Sequence, residues 1–215
     1  GTGEEAPTPI GTRWLLHRKA TGKVKARLVA QQIKWTNDGM DTFAATATSA
    51  GARLLLAILM KRNRSGEDYV AILGDVKTAF LHAALPKGHQ ALLRPPTTEG
   101  LGEACWLAEQ ALYGLRESPR TFQEHFANTL KKRTWRRLKI EPMIFVHESG
   151  ALMSVFADDL LLIAPRNKLE KVMRSVDADI EVKWGDILGP AWSRYLGKDW
   201  RYDGTNVQVR VPIHY

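Results

Sequence analysis

The sequence has little of the chemistry that would place it outside the cell or in a membrane. Cys105 is its single cysteine, so an internal disulfide and a cysteine-based zinc site are both excluded. The longest unbroken apolar run, residues 54–60, is far shorter than the roughly 18 residues of a membrane-spanning helix. Residues 1–11 are polar and contain prolines, unlike a secretory signal. These features predict an intracellular globular protein with no membrane partner.

Common metal and nucleotide motifs are also missing, whereas positive charge is abundant. The six histidines show no HExxH spacing, and no GxxxxGK[ST] loop is present, which disfavours an unrelated metal-dependent phosphotransferase. The chain has 31 Lys plus Arg against 23 Asp plus Glu, a net charge of +8 and a pI near 9.7. A basic surface favours an anionic partner such as nucleic acid, although many unrelated enzymes are equally basic.

Hydrophobic patterning predicts a mixture of strands and helices without regular alternation, which favours an α+β fold over a doubly wound sheet. Ser118 followed by Pro119 is typical of a helix start, with serine as the cap. Phe122, Phe126 and Leu130 lie on one stripe of that helix. The other expected elements are a basic hairpin turning at residues 20–22, a helix from Ser49, a buried strand over residues 68–76, a hairpin over residues 151–165 and a helix over residues 167–180.

Three acidic residues follow or interrupt apolar strands. Asp158 and Asp159 lie between two apolar runs, and ionised carboxylates are seldom buried unless something pairs with them or a metal binds them. At the tip of a hairpin the two could lie together, and Asp75, at the end of another apolar strand, could join them in a sheet. Such a cluster would suit Mg²⁺, and two metals about 3.5–4 Å apart promote phosphoryl transfer. The alternative is that Asp75 merely ends a strand and the pair forms a hydrated turn.

Five segments resemble the blocks of copia-type retrotransposon reverse transcriptases, in the family's order and at similar separations. The resemblance covers residues 12–203. The segments are KARLVA (25–30), DVKTAFLHA (75–83), ALYGLRESPR (111–120), FADDLLLIA (156–164) and YLGKDW (195–200).

The resemblance implies a right-hand polymerase fold, in which the palm is an antiparallel sheet backed by helices and the fingers are rich in β-structure. Residues 1–11 would be a flexible lead-in, residues 12–203 the fingers and palm, and residues 204–215 the start of a truncated thumb or connection. The implied reaction is RNA-directed DNA synthesis, the addition of deoxynucleotides to a primer 3′-hydroxyl on a template.

The same resemblance assigns the metal site. Asp75 and Asp158 would bind two catalytic Mg²⁺ ions, with Mn²⁺ as a substitute. Asp159 would complete the acidic cluster less directly, and the backbone carbonyl of Val76 would add a ligand. The metals would orient the primer 3′-hydroxyl and the α-phosphate of the incoming deoxynucleotide.

Further residues are implied to contact that nucleotide. Phe80 would lie under the sugar and exclude a 2′-hydroxyl, or else be an ordinary core residue. Lys25 and Arg27, on one face of a strand, would contact the triphosphate, or else form a solvated face. Tyr113 and Gly114 would lie beside the nucleotide and templating base, or else belong to an ordinary loop.

The basic run at residues 131–139 contains Trp135, which could stack on a base while the charges follow the template backbone. The alternative is a solvated helix end.

Several segments depart from the family pattern. Gln31 and Gln32 replace a usual glycine, the segment 39–50 looks altered, and Phe156 and Ala157 stand where Tyr and Val are usual. These changes fit a diverged copy, so the alternative function is a catalytically inactive retroelement remnant that binds nucleic acid.

The implied partners are an RNA or DNA template with its primer, deoxynucleoside triphosphates, and the rest of a Pol polyprotein, including RNase H and integrase. No RNase H acid constellation is found in this sequence. The expected location is the cytoplasm, virus-like particles or the nucleus.

Overall fold

The structure is a computed structural model that describes residues 8–18, 21–32, 44 and 49–212. Strands predominate in this part of the chain. The strands are β1 (Ile10–Arg18), β2 (Val24–Ala30), β3 (Tyr69–Val76), β4 (Ala91–Arg94), β5 (Trp106–Ala108), β6 (Trp135–Arg137), β7 (Ile144–His147), β8 (Leu152–Phe156), β9 (Asp159–Pro165), β10 (Val182–Ile187), β11 (Ser193–Tyr195), β12 (Lys198–Tyr202) and β13 (Val207–Arg210). The α-helices are α1 (Ser49–Arg64), α2 (Ser118–Lys131) and α3 (Leu169–Asp177).

The chain divides into two compact units, each built from two separate stretches of sequence. The first unit comprises residues 1–44 and 80–125, and the second comprises residues 45–79 and 126–215. The mixture of helices with mostly antiparallel sheets confirms the predicted α+β class.

The first unit contains a four-stranded sheet with the strand order β2-β1-β4-β5. The strands β1 and β2 form the predicted antiparallel hairpin, although the expected turn residue Ala20 lies outside the described residues. Lys25 pairs with His17 and Arg27 pairs with Leu15, so the two cations lie on one face of the hairpin as the alternation of side chains requires.

The second unit is built on a six-stranded antiparallel sheet with the strand order β10-β3-β9-β8-β7-β6. The central strands β3 and β9 are almost continuously apolar because both of their faces are covered. One face carries α1 and the smaller sheet of β11, β12 and β13. These elements share a buried cluster with Leu161 and Ile163 of β9. The core of the unit therefore lies directly beside the predicted acidic strand ends.

Several predicted elements are confirmed at their boundaries. The helices α1 and α2 begin at Ser49 and Ser118, and the stripe of Phe122, Phe126 and Leu130 is buried. The Ser118 hydroxyl, however, donates to the Leu112 carbonyl at 2.7 Å and accepts from the Leu112 N–H at 3.0 Å. It fixes the preceding loop and is not directed into the first turn of its helix.

The basic run at residues 131–139 is a helix end followed by an edge strand. Trp135 opens β6 and is only 2% exposed, and its indole Nε1 donates to Ser175 Oγ at 3.1 Å. The hypothesis that Trp135 stacks on a base is therefore wrong, because its ring belongs to the core. The Lys and Arg side chains of the run are exposed.

Strands lie near both ends of the described residues. The strand β1 begins at Ile10, and β13 pairs with β12 in the second unit. Within the described residues, no helix combines the length and apolar character that crossing a bilayer requires.

Candidate active site

Asp75 and Asp159 are brought face to face by the pairing of β3 with β9. The antiparallel register places Asp75 directly opposite Asp159. Side chains directly opposite each other lie on the same face of a sheet, with Cβ atoms about 4.5–5.5 Å apart. Asp75 is exposed and Asp159 is half-buried, so this end of the face opens to solvent.

Asp158 lies in the turn that joins β8 to β9. Phe156 pairs with Asp159, which leaves Ala157 and Asp158 as a two-residue hairpin turn. The prediction that both acids lie at the tip is thus half right: Asp158 lies in the turn and Asp159 is the first residue of β9. The Asp158 carbonyl accepts a hydrogen bond from the Val76 N–H at 2.7 Å, which ties the turn to the end of β3.

The charges of Asp75 and Asp158 act on the Asp159 carboxylate. Burial raises the pKa of Asp159 to about 6, and the negative charges of Asp158 and Asp75 contribute to the increase. Among the described residues, no three His, Cys, Asp or Glu side chains are arranged so that they could hold a metal ion. The acids are therefore close enough to interact, but their side chains do not converge into a preformed ligand set.

Two residues that the sequence patterns did not single out face the same acids. Lys183 of β10 pairs with Asp75 on the side away from Asp159. Tyr195 of β11 is buried, and the charge of Asp159 acts on its hydroxyl. Tyr195 opens the YLGKDW block, but neither that block nor any pattern around Lys183 predicts an approach to the acids, because each residue reaches them only through sheet pairing or tertiary packing.

In the first unit, the predicted nucleotide-binding residues form a connected set. The Phe80 ring packs edge-on against Tyr113 with ring centroids 4.6 Å apart, and also against Phe122 at 5.9 Å. The Arg27 guanidinium lies 5.2 Å from the centroid of the Tyr113 ring. Lys25, two residues earlier on the same face, is exposed. Phe80 is half-buried, so it is partly a packing residue and partly accessible.

Gly114 holds the loop that carries Tyr113 against the end of β2. Its φ is +88°, and a Cβ atom there would lie 1.9 Å from the Ala30 carbonyl oxygen. The Ala30 N–H donates to the Tyr113 carbonyl at 2.7 Å, and the Gln32 side-chain oxygen accepts from the Arg116 N–H at 2.7 Å. Gln32, which departs from the family pattern, thus contributes to the same junction.

Comparison with known proteins identifies the class. A model of the family described as reverse transcriptase (RNA-dependent DNA polymerase) matches residues 4–211. The chain belongs to this reverse transcriptase family.

Curated relatives narrow the class to copia-type elements and confirm the resemblance seen in the sequence blocks. The chain is 23% identical over 197 residues (85% of this chain) to a retrovirus-related Pol polyprotein from transposon TNT 1-94 of Nicotiana tabacum. It is 27% identical over 169 residues (72%) to one from transposon RE1 of Arabidopsis thaliana. It is 23% identical over 193 residues (84%) to the transposon Ty1-MR1 Gag-Pol polyprotein of Saccharomyces cerevisiae. The matches span only 14%, 11% and 11% of those three proteins.

A solved structure of apo telomerase from Candida tropicalis is also similar, with a TM-score of 0.41 and 11% identity. The similarity covers 95% of this chain and 56% of that one.

Proposed function

We propose that the chain catalyses template-directed addition of deoxynucleotides to a primer 3′-hydroxyl, using Asp75, Asp158 and Asp159 as its acidic centre. The observation that carries the proposal is the sheet register, which pairs Asp75 with Asp159 and puts Asp158 in the adjoining turn. Two strands that are distant in sequence thereby deliver three carboxylates to one end of the sheet of a reverse transcriptase family member.

The donor set fits divalent cations in its chemistry. Carboxylate oxygens and a backbone carbonyl, here that of Val76, are the hard oxygen donors that Mg²⁺ and Mn²⁺ take. Burial and two acidic neighbours raise the pKa of Asp159, which supports the proposal that a bound cation favours its ionised form. Bound Mg²⁺ would activate the attacking oxygen and stabilise the leaving one. Asp75 and Asp158 would hold the ions, and Asp159 would support them.

Arg27, Lys25, Phe80, Tyr113 and Gly114 would bind the incoming nucleotide. A guanidinium suits bidentate contact with phosphate, and Lys25 adds a second exposed cation on the same strand face. Phe80, braced by Tyr113 and Phe122, would present its ring to the sugar and exclude a 2′-hydroxyl. Gly114 permits the close backbone approach that fixes Tyr113.

At the level of domains, we assign the first unit to the fingers and the second to the palm of a right-hand polymerase. The sheet of the first unit, with its basic hairpin, and the antiparallel palm-like sheet with its helices support this assignment. The strand β13 pairs with β12 in the second unit, and residues 204–215 would be the start of a thumb or connection. The partners would be a template with its primer, deoxynucleoside triphosphates, and the RNase H and integrase parts of a Pol polyprotein.

Primer extension on an RNA template tests the catalytic assignment. The Asp158→Asn variant keeps the size of the side chain but removes its charge, so we expect incorporation with Mg²⁺ to fall at least about 100-fold. Asp186→Asn is a matched control, because Asp186 is an exposed carboxylate of β10 in the same sheet. Equal incorporation by Asp158→Asn and the parent chain would contradict the proposal.

The second candidate is an inactive remnant that binds nucleic acid. The net charge of +8 and the absence of a preformed metal-ligand group among the described residues favour it. Both candidates predict binding that weakens as salt rises, so binding alone does not separate them. A parent chain that binds a primer–template yet incorporates no deoxynucleotide with Mg²⁺ or Mn²⁺ would establish the remnant.

A further inference from the structure

The Tyr195 hydroxyl is a buried polar group that makes no hydrogen bond of good geometry with the described residues. Tyr195 is 4% exposed. Across the described ranges, its Oη is the one buried side-chain nitrogen or oxygen atom that lacks a hydrogen-bond partner. Buried polar groups are almost always satisfied, and one that is not calls for an explanation. Since phenylalanine would fill the same space without this cost, the hydroxyl is expected to serve a purpose that folding alone does not supply.

Packing places Tyr195 on the face of the six-stranded sheet that carries the acids. Side chains two residues apart along a strand share a face, so Asp159, Leu161 and Ile163 point the same way from β9. Leu161 and Ile163 belong to the same buried cluster as Tyr195. Ser154 of β8 lies opposite Leu161 and is therefore on this face too.

The electrostatics agree with this placement. Burial raises the pKa of Tyr195, and the negative charge of Asp159 raises it further, whereas a hydrogen-bond contact of poor geometry with the Ser154 side chain lowers it. Tyr195 therefore remains a neutral hydrogen-bond donor. Ser154 is close enough to influence the hydroxyl but is not in hydrogen-bonding geometry with it. The negative charge that acts on this hydroxyl is that of the Asp159 carboxylate.

We propose that Tyr195 is a positioning residue for Asp159: its buried hydroxyl donates a hydrogen bond to the Asp159 carboxylate when that side chain orients toward a divalent cation. The inference deepens the proposed function and rests on it. Asp159 has no cation directly across the sheet comparable to Lys183 opposite Asp75, because its cross-strand neighbours are Asp75 and Phe156. A neutral donor behind the carboxylate would favour its charged form and limit its rotation.

The same buried cluster contains a matched control. Tyr202 is 8% exposed, and its hydroxyl is fully engaged. It accepts from Asn63 Nδ2 at 3.0 Å and donates to the Gly204 carbonyl at 2.7 Å. Replacement of Tyr202 by Phe would remove satisfied hydrogen bonds far from any role in the acidic centre. Replacement of Tyr195 by Phe would remove an unsatisfied group.

The experiment compares Tyr195→Phe and Tyr202→Phe with the parent 215-residue chain. Three quantities are measured: the thermal midpoint, the affinity for Mn²⁺ alone by electron paramagnetic resonance, and kcat and KM for deoxynucleotide incorporation. For Tyr195→Phe we expect a midpoint that is unchanged or about 2–4 °C higher. Its Mn²⁺ affinity and kcat should each fall about tenfold, with little change in KM. For Tyr202→Phe we expect the reverse, a lower midpoint with unchanged Mn²⁺ affinity and kcat.

The outcomes separate this inference from the proposed function. Loss of Mn²⁺ affinity without loss of stability in Tyr195→Phe supports positioning, even in a parent chain that incorporates nothing and so contradicts the proposed function. An unchanged Mn²⁺ affinity in Tyr195→Phe overturns the inference, as does a parent chain that binds no Mn²⁺. A lower thermal midpoint for Tyr195→Phe, accompanied by the loss of Mn²⁺ affinity, also overturns the inference. In that case the hydroxyl would act on Mn²⁺ binding only by stabilising the fold.

Discussion

At the scale of single residues, Asp159 shows how the acidic centre differs from an ordinary hydrated turn. A hydrated turn would leave its carboxylates near their usual pKa, whereas burial and two acidic neighbours raise the pKa of Asp159 to about 6. Perturbed carboxylates of this kind cluster at functional sites, although structural networks produce them too. The shift of Asp159 therefore favours a shared acidic site, and the hydrated turn stays an alternative that the Asp158→Asn and Asp159→Asn experiments test.

This pKa predicts how stability depends on pH. The unfolded value is about 3.9, so the folded chain holds the Asp159 proton more tightly than the unfolded chain. Ionisation of Asp159 therefore lowers the free energy of unfolding as the pH rises from about 4, and the loss is complete above about 6. We expect Asp159→Asn to raise the thermal midpoint at pH 7.5 by about 3 °C, measured with a chelator present. The gain should vanish below about pH 4.

Asp203 gives a control of opposite sign. Its side chain accepts from the Asn206 N–H at 2.7 Å and the Thr205 N–H at 2.9 Å, and these hydrogen bonds lower its pKa. Asp203→Asn should therefore lower the midpoint at pH 7.5, and the loss should shrink as the medium becomes acidic. An Asp159→Asn gain that does not depend on pH would show that charge is not its cause.

Phe80 is the residue whose role in sugar selection is most directly measurable. Shortening it in Phe80→Ala should admit ribonucleotides, because the space needed by a 2′-hydroxyl would open. The measurement is the ratio of deoxynucleotide to ribonucleotide incorporation in primer extension. Phe145→Ala is the control, since Phe145 is 1% exposed and its ring packs against Phe126 with centroids 5.8 Å apart. It should lower stability without changing the ratio, and equal ratios in Phe80→Ala and the parent would refute the gate.

At the scale of elements, the hairpin of β8 and β9 was predictable because two apolar runs flank two polar residues. The position of each acid within it was not. The turn falls on Ala157 and Asp158, with Ala157 in a left-handed conformation at φ +51° that glycine or asparagine usually marks. Because the sequence lacks such a marker, the position of the turn could be predicted only to within one residue. A shift of one residue would move the Asp159 side chain to the other face of the sheet.

The loop over residues 109–117 packs so closely at Gly114 that a single substitution there is expected to disturb it. Gly114→Ala would add a left-handed strain of about 1–2 kcal/mol and a clash with the Ala30 carbonyl, since the new Cβ would lie 1.9 Å away. Gly22→Ala isolates the strain alone, because Gly22 has φ +80° and nothing within 4 Å of an added Cβ. We expect Gly114→Ala to lower the free energy of unfolding by about 1–3 kcal/mol more than Gly22→Ala in urea titrations. Equal losses would show that the loop moves aside freely.

At the scale of the whole molecule, the order of the sequence blocks predicted the family over residues 12–203, and the family model matches residues 4–211. The position of the boundary between the two units was not predicted. It depends on which strands pair across long separations, and composition carries no signal for that. The contributions of Lys183 and Tyr195 were missed for the same physical reason. Pairing and packing bring them to the acids, and the YLGKDW block, which begins at Tyr195, does not predict that approach.

The position of β3 in the interior of its sheet, between β10 and β9, affects how the protein folds during synthesis on the ribosome. The partners of β3 are β9 and β10, and 82 residues separate the end of β3 at Val76 from the start of β9 at Asp159. At a translation speed of about 5–20 residues per second, this apolar strand waits roughly 4–16 s before either neighbour is made. During that interval its unpaired edges are open to other chains, so productive synthesis depends on whatever shields β3 until its partners emerge.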